Sequence, residues 1–150
     1  MDFFDVVVIG GGSAGYAAAS KAQSNGAKVA IIDRGPLGGL CILRGCMPTK
    51  TILRSSDVLA LMHRAKEFGL SVSNPSADLS LINDRKTRLI KEFASYRIEQ
   101  LNDPKFKLIE EHASFLSPSK IKVGELVLSA KNFIIATGSI VADFPIPGLS

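Results

Sequence analysis

The stretch Val6-Val7-Val8-Ile9-Gly10-Gly11-Gly12-Ser13-Ala14-Gly15 decides how the rest of the chain is read. Four β-branched residues closed by glycine make a buried strand of a parallel sheet, and the strand extends back to Phe3. From Ser13 to Asn25 the pattern becomes helical, with Gly15, Ala18, Ala19 and Ala22 on one face at i, i+3, i+4 and i+7. So small a face lets the helix pack closely. Asn25-Gly26 stops it, and Lys28 to Asp33 reads as a second strand parallel to the first. The opening is a βαβ unit.

Gly10 to Gly15 fits G-x-G-x-x-G between a strand and a helix, the context that the motif's mechanics require. Gly10 permits the tight turn, Gly12 removes the Cβ that would block a pyrophosphate, and Gly15 lets helix and strand meet. Phosphates then sit at the positive end of the helix. Asp33, 18 residues after Gly15, ends the second strand. A carboxylate there accepts hydrogen bonds from a ribose hydroxyl and repels a 2′-phosphate, so FAD and NAD fit and NADP does not. The plainer alternative makes the glycines a turn and Asp33 a strand-end cap.

Arg34 to Leu40 reads as a loop feeding a helix that runs from about Cys41 into the Ser55 to Lys66 region, with Pro48 in an early turn. Gly69 to Ser76 is a break. Asp78 then caps a long helix with Leu79, Ile82, Leu89, Phe93 and Tyr96 on one face, ending near Asn102-Asp103-Pro104. Its charges, Arg85, Lys86, Arg88, Lys91 and Arg97 interspersed with Asp84, Glu92 and Glu99, read as a solvated face. Phe106 to Ile109, Ala113 to Leu116, Ile121 to Val123, Leu126 to Leu128 and Phe133 to Ala136 read as short strands. Ser117-Pro118-Ser119 and Gly124 mark turns, which predicts a small antiparallel meander. Pro145 to Gly148 reads as an exposed exit, with Ser150 arriving without a closing element.

With 150 residues, 46% apolar and 21% charged, the chain has the composition of one globular α/β domain. Its apolar runs fall far short of the ~20 residues of a membrane span. The acidic start, Met1-Asp2-Phe3-Phe4-Asp5, lacks the basic region of a signal peptide, so an intracellular, cytoplasmic location is expected. A net charge of +4 is dispersed along the chain, and with no Trp and two Tyr it carries no nucleic-acid stripe.

Gly38-Gly39-Leu40-Cys41-Ile42-Leu43-Arg44-Gly45-Cys46-Met47-Pro48-Thr49-Lys50 holds both cysteines. At this spacing an ideal helix separates their Cα atoms by about 8.6 Å. A disulfide needs less than about 7 Å, so a bridge requires a distorted first turn, which Gly45 permits. Such a strained bridge is easily reduced. Arg44, Lys50 and the helix N-terminus would stabilise a thiolate and lower a cysteine pKa. Zinc is a poor rival, because only His63 and His112 remain as partners and neither has finger-like spacing; no metal site is expected. Two unconnected cysteines, one of them core, are the bland alternative.

Gly10 to Gly15, Asp33, the Cys41 to Lys50 block and Ile134-Ile135-Ala136-Thr137-Gly138-Ser139 together resemble the N-terminal segment of the FAD-dependent pyridine nucleotide-disulfide oxidoreductases. The resemblance covers essentially the whole chain, and the G-G-x-C-x4-C-x-P-x-K block is its most specific part. It implies a Rossmann-like FAD-binding domain in which Gly12, Ser13, Ala14 and Gly15 hold the pyrophosphate and Asp33 the adenosine ribose. Arg34, Gly39, Ala136, Thr137 and Gly138 join Gly10 around the cofactor, and Ala113, within Glu111-His112-Ala113-Ser114-Phe115, meets the adenine through its backbone. It implies that electrons pass from NAD(P)H through the flavin to a Cys41/Cys46 disulfide, with Cys46 against the flavin and Cys41 meeting a disulfide or other small redox acceptor. Lys50 matches a lysine near the flavin N5 edge. Leu40 and Leu43 stand where common members carry Thr and Asn, which leaves the reductase subclass open.

The family's nicotinamide-binding and dimerisation regions lie beyond residue 150. The chain is therefore expected to be the FAD-binding part of a homodimeric enzyme and to lack nicotinamide-dependent turnover alone. A non-catalytic dinucleotide-binding fragment is the alternative, and an NAD-dependent dehydrogenase, which offers the cysteines no role, ranks last.

Overall fold

The computed structural model describes residues 2–140, 142 and 145–148. The chain runs β1 (Asp2–Ile9), α1 (Ser13–Ser24), β2 (Val29–Ile32), α2 (Gly39–Leu43), α3 (Cys46–His63), a 3-10 turn (Ala65–Phe68), α4 (Leu79–Leu101), β3 (Phe106–Ile109), β4 (Ala113–Ser117), β5 (Lys120–Val123) and β6 (Leu126–Ile135). The six strands form one sheet in the order β3-β2-β1-β6-β5-β4. β1 is parallel to both β2 and β6, and β2 to β3, while β4, β5 and the start of β6 form the expected antiparallel meander. This is the α/β, Rossmann-like architecture that the βαβ opening predicts.

The alternation of a two-residue period places the core on both faces of the sheet. On one face Val8, Val29, Ile31 and Phe106 pack with Ala19 of α1 and Leu101 of α4. On the other, Phe4, Val7, Ala30 and Ile32 pack with Ile121, Val123, Leu128 and Ala130 of the meander. The meander thus does for one face what the helices do for the other. Gly15 and Ala19 form the buried stripe of α1, as the small-residue face predicts.

Three expectations are corrected. Leu126 to Leu128 and Phe133 to Ala136 are not two strands but the two ends of β6, which runs unbroken through Ser129-Ala130-Lys131-Asn132. The polar residues stay in the strand because its parallel ladder with β1 runs on through Ala130 and Asn132, and Lys131 Nζ adds a bond to Asp5 Oδ1 of β1 at 2.7 Å. The single helix from Cys41 is two, α2 and α3, broken at Arg44-Gly45. On α4, which packs against α3, the apolar stripe is covered only in part: Ile82 and Leu89 are half-buried, whereas Leu79 is 76% and Tyr96 62% exposed.

Asp78 caps α4 as expected, accepting the Leu81 N–H at 3.1 Å. Asp78→Ala should cost about 1 kcal/mol, read as a shifted urea midpoint at unchanged slope. The charged face of α4 is solvated at Arg88, which pairs with Glu92 at 2.9 Å. Arg85 instead donates to the Thr51 carbonyl of α3 at 3.1 Å, and Arg97 turns inward. Pro145 to Gly148 are exposed, while Met1 and Ser150 lie outside the described residues. Among the described residues no helix is long and apolar enough to cross a membrane.

Candidate functional site

The glycine loop is built by two contacts that only glycine tolerates. Gly10, at φ +108°, lies so close to the Ala136 carbonyl that a Cβ there would overlap it. Its N–H donates to the Ile32 carbonyl at 2.7 Å, and the Ala136 N–H donates to the Ile9 carbonyl at 2.8 Å. The ends of β1, β2 and β6 are thereby tied together. A Cβ on Gly15 would overlap the Gly10 carbonyl oxygen and lie 3.3 Å from Val8 Cγ1, so α1 can begin directly on the strand only with glycine there.

Asp33 follows β2 and holds the loop from beneath. Its Oδ2 accepts the Gly11 N–H at 2.6 Å and its Oδ1 accepts the Gly35 N–H at 2.8 Å. Both oxygens are fixed by backbone donors, as the cap reading of Asp33 has it, and the residue also lines the cavity above. Gly12 is the N-cap of α1 and offers no side chain to the first-turn donors, and that turn carries no acidic residue. Its free N–H groups form a site for an anion.

A cavity of about 400 Å³ opens over this loop. Of the residues proposed from the sequence, Gly10, Gly12, Asp33, Arg34, Gly39, Ala113, Ala136, Thr137 and Gly138 line it. Ser13, Ala14, Gly15 and Lys50 do not, nor do Cys41 and Cys46. Gly15 is buried in the α1 contact with β1, and Lys50 stands exposed on α3. Arg44, which the sequence places beside the thiols, instead lines the cavity, with Leu40 and Leu43. Pro36 and Ile140, outside the quoted motifs, also line it, as do Glu111, His112 and Ser139, which lie within quoted motifs but were given no site role. Pro36 sits in a loop with no periodic pattern to flag it, whereas Glu111 and His112 precede Ala113 directly and Ser139 extends the Ala-Thr-Gly run, so these were within reach.

The segment carrying the cysteines begins on the glycine loop itself. Gly39, the first residue of α2, has φ +75°, and a Cβ on it would lie 2.6 Å from the Gly12 Cα. Cys41 follows within α2, and Cys46 is the first residue of α3. Between them Gly45 leaves helical geometry at φ −118°, ψ −106°. A Cβ there would be 3.2 Å from the Leu40 carbonyl oxygen and 3.4 Å from the Cys41 Cα, so the chain doubles back on itself. This is the distorted turn the spacing requires. Thr49 fixes the restart by donating its hydroxyl to the Gly45 carbonyl at 2.9 Å.

Both cysteines are free thiols, Cys41 half-buried and Cys46 exposed. The Cys41 thiol is pushed up, chiefly by its hydrogen bond with Cys46 and then by burial, while the Cys46 N–H and the Arg97 charge act in the opposite direction. The expected lowering therefore does not hold at Cys41: its partner sulfur and burial outweigh the one cation that acts on it.

Comparison with known proteins agrees with this arrangement. Residues 4–150 match the family model described as pyridine nucleotide-disulphide oxidoreductase. A mercuric reductase of Staphylococcus aureus is 37% identical over 98% of this chain, and a dihydrolipoyl dehydrogenase of Acholeplasma laidlawii 35% identical over 97%. A mercuric reductase of Lysinibacillus sphaericus is 38% identical over 92%. The chain spans 27%, 44% and 26% of those relatives, respectively. With a glycine loop, a carboxylate beneath it and a paired-cysteine turn docked on it, and with a family model matching from residue 4 to 150, the chain belongs to the pyridine nucleotide-disulphide oxidoreductases, a family of redox enzymes.

Proposed function

We propose that this chain is the FAD-binding, redox-disulfide part of an NAD(P)H-dependent flavoprotein disulfide oxidoreductase. The observation that carries the reading is the contact of Gly39 with Gly12, which fastens the cysteine-bearing segment to the loop that would hold a dinucleotide. A binding module needs the cavity but has no use for a thiol pair seated on its edge.

The residues present fit the cofactor. The free N–H groups at the start of α1 would take the pyrophosphate on Gly12, Ser13 and Ala14, and Arg34 and Arg44 on the cavity wall add positive charge. Asp33 retains acceptor capacity for a ribose hydroxyl, because each of its oxygens accepts one backbone N–H and has a lone pair left. Ala113 would meet the adenine, and Ala136, Thr137 and Gly138 close the wall where β6 ends. Bound there, FAD would supply two-electron transfer between a nicotinamide and the thiol pair. Cys46 takes the flavin-facing role, Cys41 the acceptor-facing role, and Lys50 the cation of the flavin edge. In the thiol pair, two electrons and one proton open the disulfide to one thiol and one thiolate.

In the whole protein the acceptor is a disulfide or another small redox compound, the assembly a homodimer and the compartment the cytoplasm. The test is a visible spectrum of the chain after incubation with FAD and desalting, followed by reductive titration. Retained flavin with a long-wavelength band that is lost in Cys46→Ser is the expected result. Failure to retain flavin, or a band indifferent to Cys46→Ser, overturns the reading.

A further inference from the structure

The short helix α2 serves the cavity and the thiols from different faces. Gly39, Leu40, Leu43 and Arg44, at i, i+1, i+4 and i+5, line the cavity, whereas Cys41 and the buried Ile42 fall off that face. Arg44 ends the helix. Its N–H still donates to the Leu40 carbonyl at 2.9 Å, while its own backbone, at φ −140° and ψ −3°, has left helical geometry. Gly45 then folds the chain back onto Cys41, and Cys46 opens α3. Arg44 therefore lies inside the six-residue loop that a Cys41/Cys46 bond would close. Of the cavity residues in that loop, Leu43 and Arg44, only the second is charged.

Two arginines line the cavity, Arg34 and Arg44, and neither is in an ion pair among the described residues. Arg34 follows β2, outside the cysteine loop. We infer that Arg44 is the residue through which the state of the thiol pair sets how tightly the cavity holds a diphosphate. The inference rests on the proposed dinucleotide and redox roles. A Cys41/Cys46 bond closes the loop and removes freedom from the Arg44 backbone. A guanidinium held in place beforehand loses less entropy when it takes an anion, so the bridged form binds a diphosphate more tightly than the dithiol. Linkage makes the effect reciprocal: a bound diphosphate favours the bridge by the same factor. With glutathione disulfide as oxidant, one cysteine sulfur attacks it and releases the first glutathione. The other cysteine then displaces the second, so two thiols become one disulfide and their two protons leave on two glutathiones.

The test is calorimetric titration of the full chain, bridged and reduced, with adenosine 5′-diphosphate, which carries no flavin and exchanges no electrons with thiols. The bridged wild type is expected to bind about fivefold more tightly than the reduced. Arg44→Gln and Arg44→Met are expected to lose that difference, and Arg34→Gln to weaken both forms while keeping it. Arg44 is exposed, so its replacement should leave the fold intact. Saturating ADP should shift the glutathione equilibrium of the wild type toward the bridge by the same factor of about five, and leave that of Arg44→Gln in place. Equal affinities of the two wild-type forms, tighter binding by the reduced form, or a difference that survives both Arg44 variants overturns the inference and leaves the dinucleotide reading standing. ADP bound by neither form overturns the dinucleotide reading, and a bridge that never forms overturns the redox reading; the inference falls with either.

Discussion

Gly15→Ala is expected to destabilise the chain by at least about 3 kcal/mol, at or beyond the upper end of ordinary overpacking. The added methyl would overlap the Gly10 carbonyl oxygen and press on Val8 Cγ1. A flexible side chain would swing aside, but Gly10 is backbone, held by its N–H bond to Ile32 and by its contact with Ala136. Relief therefore requires α1 to lift off β1, which also displaces the N–H groups of its first turn. Urea denaturation should show the loss of stability, and flavin retention should vanish with it. A domain of ordinary stability, about 5–15 kcal/mol, would keep little margin. Ala14→Ser, one residue earlier and exposed, should stay within about 0.5 kcal/mol of the parent. A Gly15→Ala loss below about 1 kcal/mol would mean that the helix does not need this contact.

Asp33→Ala should weaken binding of FAD at least tenfold, by roughly the value of one charge-assisted hydrogen bond. It should also cost about 2 kcal/mol of stability, since the Gly11 and Gly35 N–H groups both lose their acceptor. Asp33→Asn separates the two effects. It keeps one acceptor oxygen but turns an NH2 toward the second backbone donor, so part of the stability returns while the negative charge does not. Equilibrium dialysis and urea titration of the same three proteins read both quantities. Unchanged FAD affinity in Asp33→Ala would remove Asp33 from the ligand site and leave it as a cap alone.

The parallel sheet was legible in the sequence because its signals are local. A β-branched run, three consecutive glycines and a small-residue helical stripe each state their geometry within a few residues, and the parallel pairing of β1 with β2 follows from them. The capped start of α4 was legible for the same reason. β6 was not, because Lys131 and Asn132 resemble a turn until β1, more than a hundred residues away, is seen to pair with the strand through Asn132 and, by the Asp5 carboxylate, with Lys131. Arg97 was misread because helix charge patterns report the average face: it stands in a run of solvated arginines and lysines yet shares the inward face of Leu101. At the site, Gly10 and Gly15 make the close backbone contacts read from the motif, and Asp33 follows β2 and accepts two backbone N–H groups. Arg44 went to the cavity wall instead of the thiols, because the break at Gly45 turns α2 away from the axis of the continuous helix that the spacing suggests.

The position of β1 sets the order in which the site can come into being. It comes first of the six strands in chain order, yet it is central, flanked by β2 on one side and by β6 on the other. Until residues 126 to 135 arrive, one edge of the apolar ribbon Val6 to Ile9 has no neighbour in the sheet. Closing that edge joins segments more than a hundred residues apart, a slow step in folding. The glycine loop, whose shape depends on Ala136, acquires its final form only with that closure. The cavity wall is thus incomplete until that pairing forms, and a chain that extends only through α4 already carries its cysteines but not the Ala136 to Gly138 wall of the cavity beside them.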